Sequence, residues 1–312
     1  MTRLSVIVPA TNAPPTLAAC LAALEAAVEP ADEVIVVEEA AAPGPAAARN
    51  AGAERSGGDV LVFVDADVVV HSDALHRIRR AFEGDEGLEA LFGSYDDAPA
   101  AAGLVSGFRN LLHHHVHQTS PGPATTFWAG LGAVRKAAFA VEGGFDAARY
   151  PEPSVEDIEL GMRLAASGRR ISLDPAIQGT HLKGWTAVSM LQTDFARRGV
   201  PWVELLLERG GSASALNLGW RHRLSAAAAV SGAVALVAWR PRPALGAAAA
   251  LVLLNADFYA LLGRRLGPRG AVAGVGLHAL HHLAGAAAVP FGALRYWTRA
   301  TSRSASTVSP SS

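Results

Sequence analysis

The chain has 312 residues, of which 50% are hydrophobic and 18% charged, and its formal net charge at pH 7 is -1. That balance lacks the basic excess of a nucleic-acid binder, and the single cysteine, Cys20, excludes an internal disulfide framework and suits a reducing compartment. The apolar residues are unevenly spread: residues 224–262 and 271–290 hold little charge, whereas residues 1–200 alternate as a globular domain does, which sets a boundary near residue 210.

Residues 4–8 read as a short buried strand stopped by Pro9. The run is too short for a signal-peptide core, so the first domain is expected to stay in the cytoplasm. Pro14 and Pro15 open a helix with Leu17, Leu21, Leu24 and Val28 on one face, and Pro30 ends it. Glu33–Val37 reads as a second strand, 46–55 as a helix and Val60–Val64 as a third strand. Ser72 or Asp73 then caps a helix that runs to Phe82, and 89–94 is a fourth strand. This alternation predicts an α/β fold, a single Rossmann-like, mainly parallel sheet flanked by helices. Such sheets bind ligands outside the carboxyl ends of their strands, where Pro9, Glu38, Glu39, Asp65, Asp67 and Ser94 all fall.

The run V-L-V-F-V-D-A-D-V-V-V at 60–70 is the most distinctive stretch, because two carboxylates interrupt it. If the strand persists through Asp67, Asp65 and Asp67 project to the same side, and like charges that close call for a cation or a shared proton. Acids at a strand end also arise simply as Asx turns.

Farther on, 108–118 reads as a helix bearing His113, His114, His115 and His117. His113 and His117 alone have i, i+4 spacing and no acid or cysteine joins them locally, so polar histidines on a helix are the better reading than a metal site. Gly130 and Gly132 follow Trp128, either to keep a loop thin or as plain turn glycines. Ser154 begins a helix at 155–167 with Ile158, Met162 and Ala165 on one face, and 171–173 is a strand. In 186–209, Val188, Leu191, Phe195 and Trp202 oppose Arg197 and Arg198, a pattern that suits a helix at a membrane surface or one lying on the protein's own core. The expected organisation is a domain at 1–185, an amphipathic linker at 186–223, two or three transmembrane helices within 224–292 and a disordered tail at 293–312. The apolar stretches are 224–239, 244–262 and 271–291; the first is short, and the second contains Asn255 and Asp257, which are costly in lipid. Arginines flank every stretch, so charge asymmetry sets no topology.

Taken in order, S-V-I-V-P at 5–9, A-A-A-R-N-A-G at 46–52, D-A-D at 65–67, G-G-F-D at 143–146 and E-D-I-E-L-G-M-R-L at 156–164 resemble a family 2 glycosyltransferase over about residues 4–185. The segments L-H-H-H-V-H-Q, T-H-L-K-G-W and N-A-D-F-Y are similar to a membrane-anchored branch of that family. The resemblance implies a nucleotide-diphospho-sugar transferase fold and an inverting, metal-dependent transfer of sugar from a nucleotide-sugar donor. It implies that Asp65 approaches the donor's ribose or diphosphate and that Asp67 binds Mg2+ or Mn2+ through hard ligands, while His181 completes the metal shell, touches the diphosphate or simply packs. Pro9, Glu38, Glu39, Arg49 and Asn50 would line the donor site, with Arg49 near a phosphate oxygen. Glu38 and Glu39 stand where aspartates commonly touch base and ribose, and Ala10 where a threonine is common, which leaves donor choice open. Asp157 would be the general base, although Ser154 to Asp157 also has the spacing of a capping box. Trp128, Gly130, Glu156 and Trp185 would lie on the acceptor side, Trp185 either stacking on a sugar or anchoring at the interface. With a membrane anchor, the implied acceptor is lipid-linked or polyprenyl-linked. A catalytically inactive membrane scaffold of the same fold is the alternative. A nucleotidyltransferase is disfavoured by the lack of a glycine-rich, basic loop after the first strand.

Overall fold

In the computed structural model, residues 1–210 and 219–306 are described, and the chain divides into two compact units, Met1–Trp185 and Thr186–Ser312. In the first unit, strand β1 (Leu4–Pro9) pairs in parallel with β2 (Glu33–Val37) and β3 (Val60–Val64), and helices α1 (Leu17–Glu25) and α2 (Pro45–Arg55) make the crossovers. Every residue of β3 is buried, as a β-branched run covered on both faces should be. The unit continues through β4 (Val68–Val70), α3 (Ala74–Gly84), β5 (Leu88–Tyr95), α4 (Leu104–Gln118) and β6 (Gly122–Ala124). It closes with β7 (Leu131–Arg135), α5 (Lys136–Val141), α6 (Glu156–Ala166) and β8 (Arg170–His181). The sheet order is β2-β1-β3-β7-β5-β8-β4, with β6 attached to β8.

The sheet is mixed, not mainly parallel. β7 runs antiparallel to both β3 and β5, and β4 and β6 run antiparallel to β8, while β5 and β8 are parallel. β7 was hidden by Gly132 within it and Gly130 just before it, which read as loop but answer to packing. A Cβ on Gly132 would lie 2.2 Å from the Trp128 carbonyl oxygen and 2.6 Å from the Phe127 ring. β8 is also longer than expected, because it continues past Pro175 where its pairing with β5 is irregular between Phe92 and Ser94.

Strand β3 ends at Val64. Residues 65–67 are a tight turn closed by a Val68 N–H to Asp65 O bond of 2.9 Å, so strand alternation does not bring the two acids together; the turn does. Val28 lies beyond α1 and is exposed, leaving Cys20 and Leu24 as the buried residues of that helix. Helix α6 has Val155 at its N-cap with no side-chain cap bond, one residue beyond the Ser154 at which the capping-box spacing begins. Its buried face is Glu156, Glu159, Leu160, Gly161 and Leu164, whereas Ile158, Met162 and Ala165 are half-buried.

The second unit is helical. Helix α7 (Ala187–Gln192), a π-helical stretch (Thr193–Gly199) and α8 (Val200–Glu208) run on from one another. They are followed by α9 (Trp220–Val237), α10 (Pro241–Leu254) and α11 (Ala256–Ser306), which breaks at Gly267, φ 74°. Among the described residues one helix, Ala256–Arg299, is long and apolar enough to cross a membrane. This corrects the expectation of two or three spans. The stretch 244–262 is cut at Asn255, whose amide bonds the Ser225 hydroxyl and the Leu251 carbonyl, both at 2.8 Å, and α10 at 14 residues reaches only about 21 Å. The amphipathic segment packs on α11 within the unit: Phe195 meets Phe291 edge-on at 5.3 Å, and buried Glu204 pairs with Arg295 at 3.2 Å and with Arg299. Helix α11 runs through the first part of the expected disordered tail to Ser306, and residues 211–218 and 307–312 lie outside the described residues.

Candidate active site

Three backbone segments meet at one rim of the first unit: the β3–β4 turn, the loop entering β7 and the first turn of α6. The Asp65 N–H donates to Gly130 O at 3.1 Å, and the Ala129 N–H donates to Asp157 Oδ2 at 3.2 Å. The loop 128–130 thus joins the Asp65 turn to Asp157, whose Oδ1 accepts the Ile158 N–H at 2.8 Å. Close approach depends on glycine. A Cβ on Gly161 would lie 2.2 Å from the Phe127 nitrogen, so this residue lets α6 rest directly on the chain that leads into the loop. A Cβ on Gly130 would enter the Trp128 indole at 2.4 Å.

Beneath the rim lies Arg49, 4% exposed. Its Nη2 donates to Asp65 Oδ1 at 2.7 Å and its Nη1 to Glu156 Oε1 at 3.0 Å, and its guanidinium sits 5.5 Å from the Phe145 ring centroid. Burial opposes its charge, but Asp65, Glu156 and Asp157 outweigh burial and hold it firmly protonated. Glu156, also 4% exposed, accepts the Ser154 N–H at 2.8 Å through its other oxygen. Glu156, expected on the acceptor side, is thus buried and engaged by Arg49 and the Ser154 N–H. The Asn50 amide is likewise engaged, donating to Phe145 O at 2.8 Å and accepting the Phe145 N–H at 2.9 Å, which pins the G-G-F-D loop. Arg49 and Asn50, expected at the donor, are both committed to holding neighbouring segments.

The two acids of the turn are driven apart in acidity. Burial pushes Asp65 above the usual carboxylate range, helped by the charges of Asp67 and Glu156 and opposed by Arg49. Burial would raise Asp67 too, but the His181 imidazole and the Lys183 ammonium outweigh it, and Asp67 lies below that range. His181 Nε2 stands 3.6 Å from Asp67 Oδ2, an ion-pair distance too long for a direct hydrogen bond, and the Leu182 N–H donates to Asp67 O at 2.8 Å. One acid is thus spoken for by arginine, and the other stays ionised beside an imidazole nitrogen.

The His181 ring stacks on Tyr95 with centroids 4.2 Å apart and planes at 10°. Tyr95, at the end of β5 and not foreseen, also meets Trp128 edge-on at 4.8 Å and His113 at 4.2 Å. His114 and His117 donate from Nδ1 to the carbonyls of Tyr95 and Gly93, each at 2.8 Å, so the histidine run docks α4 on β5. Pro9 ends β1 opposite Val37, and Glu38 and Glu39 are exposed directly after β2. Trp185 N–H donates to the Ser106 hydroxyl at 2.9 Å, and Lys183 and Arg109 lie 4.7 and 5.0 Å from the Trp185 ring centroid.

Residues 39–97 match the profile described as Glycosyl transferase family 2, a span that contains Glu39, Arg49, Asn50, Asp65 and Asp67 and stops before Asp157 and His181. The chain is 26% identical over 225 residues to the pre-mycofactocin glycosyltransferase of Mycobacterium tuberculosis (strain ATCC 25618 / H37Rv), covering 66% of this chain and 42% of that protein. It is 29% identical over 184 residues to glucans biosynthesis glucosyltransferase H of Rhodopseudomonas palustris (strain ATCC BAA-98 / CGA009), covering 55% of this chain and 25% of that one. It therefore spans less than half the length of these curated relatives. Among solved structures, the mannosyltransferase PcManGT from Pyrobaculum calidifontis, in complex with GDP-Man and Mn2+, shares the fold with a TM-score of 0.53 at 17% identity, over 93% of this chain and 87% of that one.

Proposed function

Because the chain belongs to glycosyl transferase family 2, we propose that it moves a sugar, with inversion, from a nucleotide-diphosphate donor to a lipid-linked acceptor. The observation that carries this reading is the loop 128–130, which ties the acidic turn to Asp157 by one backbone–backbone bond, Asp65 N–H to Gly130 O, and one bond from the Ala129 N–H to the Asp157 carboxylate. The turn then serves the donor, and Asp157 serves the acceptor. Asp67 and His181 offer one ionised oxygen ligand and one nitrogen ligand, a set that fits Mn2+ or Mg2+. Bound there, a divalent ion supplies charge neutralisation for the departing diphosphate. Asp157 accepts the acceptor hydroxyl's proton as that oxygen bonds to the anomeric carbon, and the bond from that carbon to the diphosphate breaks with its electron pair leaving on the nucleotide.

Arg49 and Asn50 are positioning residues in this scheme. Arg49 keeps Asp65 and the start of α6 in register, and Asn50 holds the G-G-F-D loop. Glu38 and Glu39, free-standing at the end of β2, face the nucleoside, and Pro9 closes that side. Trp128, Gly130 and Trp185 border the acceptor. Anchorage through Ala256–Arg299 brings the site to a lipid-borne acceptor, and its length and apolar composition support that placement.

The test is transfer by the full chain in detergent, with a panel of nucleotide sugars, Mn2+ and polyprenyl phosphate or soluble acceptors. Asp157→Asn is expected to lower turnover by about 10²–10⁴-fold with donor affinity retained. Normal turnover by that variant would remove the base assignment. Turnover of soluble acceptors that matches the lipid acceptor would remove the lipid reading.

A further inference from the structure

The second unit holds a cluster of imidazoles that sugar transfer does not use. His222, near the start of α9, and His281 and His282, on the second arm of α11, each offer a ring nitrogen, and these nitrogens all lie within 4.8 Å of one another. Ring centroids separate His222 from His282 by 4.6 Å, His281 from His282 by 5.4 Å and His222 from His281 by 5.9 Å. His282 is 2% exposed, and neither of its ring nitrogens has a hydrogen-bond partner. A buried imidazole with both nitrogens unpartnered is unusual in a folded protein, and a ligand at the position would account for it.

The surroundings are those of a metal ligand set. Asp194, 5% exposed on the π-helical stretch, lies 2.8 Å from His281 Nδ1. A carboxylate on Nδ1 fixes the tautomer, leaves Nε2 with its lone pair, and is the common outer-shell partner of a metal-bound histidine. His278 flanks the cluster, 4.4 Å from His282 between centroids, and its Nδ1 is engaged by the Tyr259 hydroxyl at 2.9 Å. The apolar helix α11 thus turns all three of its histidines toward protein groups, and ionisable residues in such helices tend to mark function.

We propose that His222, His281 and His282 form a metal site for a borderline divalent ion, Zn2+ foremost, with Asp194 as its outer-shell carboxylate. Three nitrogen donors, with no carboxylate joining the group among the described residues, select against Mg2+ and Ca2+ and in favour of Zn2+, Co2+, Ni2+ or Cu2+. Two nitrogens on one tetrahedral zinc stand about 3.3 Å apart for bonds of 2.0–2.1 Å, so binding draws the rings inward and joins α9 to α11. Three protein ligands leave a fourth position to water.

Cobalt(II) titrated into the full-length Asp67→Ala protein in detergent micelles tests this, since that background lacks the acidic ligand of the first unit. One equivalent is expected to bind with the intense visible absorption of four-coordinate cobalt, and zinc should displace it. His282→Ala and His222→Gln should abolish the band, and Asp194→Asn should weaken binding about 10–100-fold while keeping one equivalent. If His282→Ala does not fold, the surface-proximal His222→Gln and the Asp194→Asn shift decide. Absence of the band in the Asp67→Ala protein, or a band that His222→Gln and Asp194→Asn leave unchanged, overturns the proposal.

Discussion

The acidic turn of the first unit and the histidine cluster of the second, each proposed to hold a cation, differ in what they offer it. Asp67 is an ionised carboxylate on a tight turn, and the groups of its site are already bound: Arg49 to two carboxylates, Asn50 to Phe145 and Asp157 to Ala129. The histidine cluster offers ring nitrogens among helices, and neither nitrogen of His282 has a hydrogen-bond partner. A hard ion that must arrive and leave with a nucleotide suits a rigid, charged frame, because preorganised dipoles need no rearrangement at the moment of reaction. A borderline ion held by neutral rings suits a site whose remaining polar demand the ion itself satisfies.

The largest effect is expected where the comparison is most direct. Asp67→Ala should weaken Mn2+ binding in the presence of a nucleotide sugar by at least about 100-fold, more than loss of an outer-shell group. The paramagnetic signal of free Mn2+ measures it, and cobalt binding in the second unit should not change. A joint loss of both would show that the two sites do not act separately.

Next in size is the frame. Arg49→Ala leaves Glu156 buried without its partner and Asp65, 32% exposed at its side chain, partly so. A loss of about 3 kcal/mol is expected, the lower end for breaking a buried pair, or roughly 6–12 °C in Tm for a unit of this size. Arg49→Lys should recover little, since one ammonium does not span two carboxylates in the planar geometry of a guanidinium. Thermal unfolding in detergent with the cobalt band as a second probe would show whether the damage is confined to the first unit.

Much of the first unit was legible because β1, β2 and β3 are apolar runs bounded by Pro9, Glu38 and Asp65, and the polar rim follows from parallel pairing alone. β7 was not, because Gly130 and Gly132 weaken the strand signal locally and their reason lies in the Trp128 and Phe127 rings. Arg49 is expected near a phosphate from the family resemblance alone, and a strand–helix pattern gives no sign that Glu156, remote in sequence, meets its guanidinium. The histidine cluster was illegible for the same reason: His281 and His282 lie within an apolar stretch, and only the fold brings them to His222 of α9 and Asp194 of the π-helical stretch. Side-chain periodicity reports the face a residue lies on, and which distant group shares that face is a tertiary fact.

Gly161→Ala tests how closely the frame is fitted. The added methyl lies 2.2 Å from the Phe127 nitrogen, a backbone atom that does not move aside, so α6 must shift. A cost of about 1–3 kcal/mol is expected, with turnover falling more than donor affinity because Asp157 is carried away from Ala129. Equal losses in both would mean that α6 positions the donor as well.

The smallest effect lies under the acidic turn. Cys20 is fully buried with its Sγ 3.7 Å from Asp65 O, and its thiol is pushed up to about 12, by burial first and then by the charges of Asp65 and Asp67. An unfolded thiol ionises near about 8.5. The folded value is the higher one, so the stabilisation is full below about pH 8.5 and is lost as pH rises toward the folded value, because the unfolded chain then releases a proton that the native thiol keeps. The loss approaches about 1.4 kcal/mol per pH unit in that window. Other groups titrate there too, so the measurement is the difference in denaturant midpoint between wild type and Cys20→Ala from pH 8 to pH 10. The wild type should lose more. Asp67→Ala removes one of the charges that press on the thiol, and should narrow that difference without touching the histidine site.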